Sequence, residues 1–121
     1  MVADIVQIGP NSANTQVSEA LVFQVLAYNP AAGANDGDGI DDVDLRILRN
    51  DQVVYERAEG NAKYCAFSGG EPDCDIWVFA DNANEWPGGQ PIEAGSYVLQ
   101  ATVNAQNGQR KTIEQTIEIQ P

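Results

Sequence analysis

The sequence predicts an all-β fold, a β-sandwich of about seven strands. Three observations carry that expectation. Apolar and polar residues alternate with a period of two, turn-forming residues interrupt the alternation every ~8–12 positions, and no segment repeats apolar residues at helical spacing. The 121 residues have the length of one domain. No internal repeat, low-complexity run or linker divides them, so residues 1–121 are expected to form one domain. A chain of this size buries roughly two thirds of the surface its unfolded form exposes, enough for a core without a metal or a cage of disulfides.

Each strand has its own signal. Residues 3–8 alternate and stop at Gly9-Pro10-Asn11. Residues 20–28 are apolar on both faces (Leu21, Phe23 and Val25 against Val22, Leu26 and Tyr28), the mark of a central, covered strand. Residues 42–48 set Val43, Leu45 and Ile47 on one face and Asp44 and Arg46 on the other. Asn50-Asp51 then turns tightly into residues 52–57. Residues 75–80 form a further strand, followed by a long loop over 81–91 that carries Trp86-Pro87-Gly88-Gly89. Residues 96–104 place Tyr97, Leu99, Ala101 and Val103 inward. Asn107-Gly108 reads as a two-residue hairpin turn, since both residues tolerate positive φ. Residues 111–119 close the chain with Ile113, Ile117 and Ile119 on one face.

Composition narrows the function. Eighteen acidic against six basic side chains give a net charge of −12, which argues against nucleic acid and against attachment to anionic lipid, and suits cations. Zero histidine removes Ser-His-Asp and Cys-His nucleophile systems and the usual catalytic zinc ligands. No nucleophile elbow, P-loop, dinucleotide turn or zinc cluster is present, and Ser68 has no base to activate it. Glycoside hydrolysis needs two carboxylates flanking a cleft, whereas the acids here crowd one loop. The chain is therefore read as a non-enzyme. No apolar run approaches the ~18 residues of a membrane helix, so membrane insertion is not expected. Met1-Val2-Ala3-Asp4 lacks a signal-peptide pattern, as would a domain cut from a longer secreted protein.

Cys65 and Cys74 flank Ala66-Phe67-Ser68-Gly69-Gly70-Glu71-Pro72-Asp73, a Gly/Pro-rich span able to turn back and bring the sulfurs together. They are read as a disulfide, stable only in an oxidising compartment; two reduced thiols are the alternative.

Gly95-Ser96-Tyr97-Val98-Leu99 resembles the tyrosine corner of Greek-key sandwiches, in which a Tyr entering a late strand bonds back to nearby backbone. With Val22-Phe23-Gln24-Val25-Leu26-Ala27-Tyr28, Gly39-Ile40-Asp41-Asp42-Val43, Tyr64-Cys65-Ala66-Phe67-Ser68-Gly69-Gly70 and Trp86-Pro87, taken in order, nearly the whole chain resembles the bacterial extracellular immunoglobulin-like modules of large secreted and surface proteins. The resemblance implies an immunoglobulin-like Greek-key sandwich, an extracellular or cell-surface location, and a scaffold more than an activity.

The densest polar cluster packs five carboxylates into nine residues, from Asp36 to Asp44. It resembles the calcium loops of thrombospondin type 3 and dockerin repeats, with Ala34 where the opening Asp stands and Leu45 where the closing carboxylate stands. The expected ligands of a calcium ion are Asp36, Asp38, the Ile40 carbonyl and Asp42, with Asn35, Asp41 and Asp44 as secondary ones. The alternative is a solvated acidic turn. Aromatic rings that stack on sugars offer a second function, carbohydrate binding, with Trp86, Trp77 and Tyr64 as its candidates. A third is assembly, in which exposed strand edges join copies of the chain, or neighbouring domains of a surface protein, into a spacer, adhesin or fibre.

Overall fold

The longest alternating segments form the longest strands. The computed structural model describes residues 1–10, 12–69 and 73–121, and among these the chain builds ten strands: β1 (Val2–Gln7), β2 (Gln16–Val17), β3 (Ala20–Leu21), β4 (Gln24–Tyr28), β5 (Ile40–Arg49), β6 (Gln52–Glu59), β7 (Tyr64–Cys65), β8 (Trp77–Val78), β9 (Gly95–Ala105) and β10 (Arg110–Ile119). Asn11 of the expected first turn, and Gly70, Glu71 and Pro72 between the cysteines, lie outside the described residues.

The strands form a Greek-key β-sandwich. One layer is a five-stranded sheet in the order β2-β10-β9-β5-β6; the other holds β1-β4-β7 and the short pair β3-β8. In the large sheet β9 is antiparallel to both neighbours, so Val103 lies between Val43 and Lys111, and Leu99 between Ile47 and Gln115. Alternation then sends Tyr97, Leu99, Ala101, Val103 and Ala105 inward with Val43, Leu45 and Ile47, all buried. Val25, Ala27, Leu21 and Ala3 meet them from the opposite layer, in one continuous core. The outer face of the large sheet is polar and bonds across strands. Gln100 Nε2 donates to Glu114 (2.8 Å), Thr102 and Thr112 hydroxyls meet at 3.1 Å, and Ser96 bonds Glu118.

Three expectations need correction. Residues 20–28 are two strands in different sheets, because the chain turns at Phe23, which has φ +53. A bulky residue in the left-handed region costs about 1–3 kcal/mol. That cost is offset by complete burial of its ring and by a bond from the Ala66 N–H to its carbonyl at 3.1 Å. The diversion leaves β3 only two residues long, so its partner β8 is equally short, and residues 75–80 pair only at Trp77 and Val78. A 3-10 turn over Ala80–Asn82 follows, closed by Ala83 and Asn84 at φ +59 and +54. Finally, the β9–β10 hairpin loop has three residues. Gly108 at φ +88 donates to Ala105 O (3.0 Å) while the Ala105 N–H donates to Gln109 O (2.8 Å). The Asn50-Asp51 turn is as expected, with both residues at positive φ.

The tyrosine corner is present. The Tyr97 hydroxyl donates to Glu93 O (3.1 Å) and accepts from the Glu93 N–H (3.0 Å) and from Arg49 Nη1 (2.9 Å), tying β5, β9 and the preceding loop at one atom. Tyr97→Phe keeps the buried ring and leaves these groups unpartnered, so it is expected to cost about 1–3 kcal/mol. Urea unfolding measures this, and an unchanged midpoint would show that the corner holds nothing.

Candidate functional site

The acidic segment spans two kinds of backbone, and that decides what its carboxylates reach. Residues 29–39 form a tight loop in which Asn29 N–H donates to Asp38 O (2.8 Å) and Gly37 N–H to Ala27 O (2.8 Å). A Cβ on Gly33 would stand 2.0 Å from Asp38 Oδ2, so only glycine allows the loop to close on that carboxylate. Asp36 Oδ1 accepts from the Ala27 N–H (3.0 Å) and Asp38 Oδ2 from the Asn35 N–H (3.0 Å). From Ile40 onward the chain is strand β5. Ile40 is buried opposite Ala105, and Asp42 accepts from Asn104 Nδ2 at 2.6 Å. Asp44 lies opposite Thr102 on the outer face, and Asp41 sits exposed at a register shift between Ile40 and Asp42.

The acids thus serve the backbone of the loop and the cross-strand rows of the sheet. Among the described residues no three acidic or cysteine side chains converge as a metal would require. Burial raises the Asp36 carboxyl above the usual carboxylate range, against the lowering effects of the Ala27 N–H and the Lys63 ammonium. Burial, with the Asp36 and Asp42 charges, pushes the Tyr64 phenol up to about 12. Because folding raises the Asp36 pKa, its protonated form contributes stability that is complete below the unfolded value and lost as pH rises through the folded one. Asp36→Asn keeps an acceptor for Ala27 and removes the buried charge. It is expected to melt at or above wild type at neutral pH, with the advantage shrinking as pH falls through that window. A variant melting well below wild type at neutral pH would show that the charge itself holds the loop.

The aromatic candidates lie largely inside. Trp86 and Tyr64 are each 1% exposed. Trp86 lies parallel to Phe67 (6.4 Å) and edge-on to Phe79 (5.9 Å) and Tyr97 (5.6 Å). Phe67 is the hub, since it also stacks on Tyr55 (5.3 Å) and Trp77 (5.6 Å). Trp77 is half-buried and donates from Nε1 to Glu85 O (2.9 Å). The buried neighbour of the disulfide is Val22. These rings cement the sandwich and leave no open platform for a sugar. Trp86→Ala is accordingly expected to cost roughly 3–5 kcal/mol in denaturant unfolding; full retained stability would mean that the ring is not structural.

The disulfide is formed. Cys65 in β7 and Cys74 bond at an S–S distance of 2.00 Å, both buried. An oxidising compartment suits such a bond. Of the strand edges that the sequence offers for assembly, the structure leaves one long side of β10 with little pairing. Its partner there, the short β2, pairs only at Glu118 and Ile119.

No family model matches the chain, and no curated protein matches it. Among solved structures it is similar to CopC from Methylosinus trichosporium OB3b, with TM-score 0.50 and 18% identity over 99% of this chain and 95% of that one. It is also similar to the PmoD soluble domain from Methylocystis sp. ATCC 49242 (Rockwell), with TM-score 0.54 and 13% identity over 97% of this chain and 90% of that one. At these identities the likeness is one of fold.

The calcium expectation is overturned. The fold neighbours are CopC and PmoD domains, so the likeness to thrombospondin type 3 and dockerin loops ends at the sequence. Asp36, Asp38 and Asp42 accept from three different places. Asp36, Asp38, Ile40 and Asp41 line one cleft, yet among the described residues no three acidic side chains gather closely enough to hold a metal. A copper or zinc centre fits the chain no better: it has no histidine, Met1 is its one thioether, and both cysteines are in the disulfide.

Proposed function

We propose that the chain is a non-catalytic β-sandwich module of an extracellular or cell-surface protein, folding as one domain over residues 1–121, that acts by presenting its sheet edges to other protein surfaces as a spacer or assembly unit. The observation that carries this reading is the buried Cys65–Cys74 disulfide in a sandwich whose loop acids Asp36 and Asp38 bond its own backbone and whose Trp86, Tyr64 and Phe67 rings are buried. A reducing compartment would leave β7 and the 74–76 segment without their covalent tie. The fold neighbours support the reading, since the one described as a soluble domain is a module of similar extent.

Closing a loop with nine residues of separation contributes roughly 2–3 kcal/mol on the chain-entropy estimate. Chain recovered from an oxidising compartment is expected to show no free thiol. Reduction, or the Cys65→Ser/Cys74→Ser pair, is expected to lower its melting midpoint by about 10 °C. Free thiols in the native protein, or a melt indifferent to reductant, would overturn the extracellular module.

A further inference from the structure

Three long strands have an open margin, and two of them are guarded. On β6 the inward positions carry Arg57 and Glu59, an ion pair, and its register with β5 shifts next to Leu48. Inward charges and bulges of this kind discourage strand addition. β1 is interrupted by a bulge between Ile5 and Gln7. β10 pairs with β9 from Arg110 to Ile119 without any shift. On its other side the Glu118 N–H donates to Thr15 O (2.9 Å) and the Gln120 N–H to Val17 O (2.8 Å). Edge-facing amides alternate along a strand. Thr116, Glu114, Thr112 and Arg110 therefore aim their N–H and C=O groups away from β9, and all four are exposed; β1 runs close by, with Ala3, Asp4 and Ile5 lining a cleft with Ile113, Glu114 and Gln115.

We propose that this edge pairs with the same edge of a second copy, antiparallel about a two-fold axis at Thr112, so that the five-stranded sheet runs on from one protomer into its partner. The side chains select this register. With Thr112 opposite the partner's Thr112, Arg110 stands opposite the partner's Glu114 on the outer face, twice by symmetry. Centring the axis on Glu114 would oppose two carboxylates, and centring it on Ile113 would set Arg110 against a threonine. Both charged groups have atoms to offer: Arg110 uses Nε on Asn104 (2.9 Å), and Glu114 uses Oε2 on Gln100 (2.8 Å). The central threonines extend the Thr102–Thr112 hydroxyl row across the junction. On the inner face the Lys111 stem covers the partner's Ile113. Two bodies of net charge −12 repel at long range, so the dimer is favoured by screening.

This proposal rests on the module reading and names its partner. Sedimentation velocity of the disulfide-intact chain, over rising protein concentration and at about 10 and about 150 mM salt, tests it. The expected result is a monomer–dimer equilibrium that strengthens with salt. Glu114→Arg is expected to weaken it by about tenfold, and the charge exchange Arg110→Glu with Glu114→Arg to restore it. Thr112→Pro removes an edge N–H that the monomer does not use; it is expected to abolish the dimer with the melting midpoint little changed. A chain that stays monomeric throughout, a Glu114→Arg variant that dimerises like wild type, or an exchange that restores nothing would overturn the proposal. A monomer whose melt still responds to reductant removes self-pairing alone. A melt indifferent to reductant removes the module reading beneath it.

Discussion

Pairing on both sides along β9 is the constraint from which the rest of the molecule is built. Residues 95–104 pair with β10 on one side and residues 98–105 with β5 on the other, which fixes the parity of three strands at once. A slip of one residue would send Tyr97, Leu99, Ala101 and Val103 into water and Val98, Gln100 and Thr102 into the core. Tyr97 sits near the start of that inward row. Its hydroxyl holds the 93–97 turn and Arg49, and its ring meets Trp86, so the register of β9 also places the aromatic cluster between the layers.

Function follows from what this arrangement uses internally. A loop that must close over one end of the sandwich has backbone N–H groups to satisfy, and Asp36 and Asp38 satisfy them. Asp36 serves the fold as an acceptor while burial disfavours its charge and raises its pKa. A carboxylate already accepting a backbone donor, as Asp36 and Asp38 do, is poorly placed to join six to eight oxygens around one cation.

Period-two patterning made β1, β5, β9 and β10 legible to within one or two residues, because each sends alternate residues toward the core, while β6 was legible from the Asn50-Asp51 turn before it. It failed at Phe23. A run that is apolar on both faces looks the same as one straight strand or as a strand that changes sheets, and the change is set by what Phe23 packs against. The disulfide was legible from the Gly/Pro-rich span, and Tyr97 from the Gly before it. The acidic loop misled because spacing counts oxygens along the chain, whereas coordination needs them in one place. Trp86 misled in a related way: loop position suggests exposure, but its ring folds back into the core.

Charge completes the distinction between the two layers. Of the six basic residues, all but Lys63 lie on the five-stranded sheet: Arg46 and Arg49 on β5, Arg57 on β6, Arg110 and Lys111 on β10. Against those five, the sheet's strands carry seven acids, while the remainder of the chain carries eleven acids against Lys63 alone. The repulsion between two such molecules is therefore concentrated on the loops and the smaller layer. Individual surface ion pairs such as Arg46–Glu56 contribute little stability. Their collective effect is to leave the large sheet nearly neutral, so approach along its open margin meets the least opposition. On that margin the straight, alternating backbone of β10 has unpaired donors and acceptors already aligned for a partner strand.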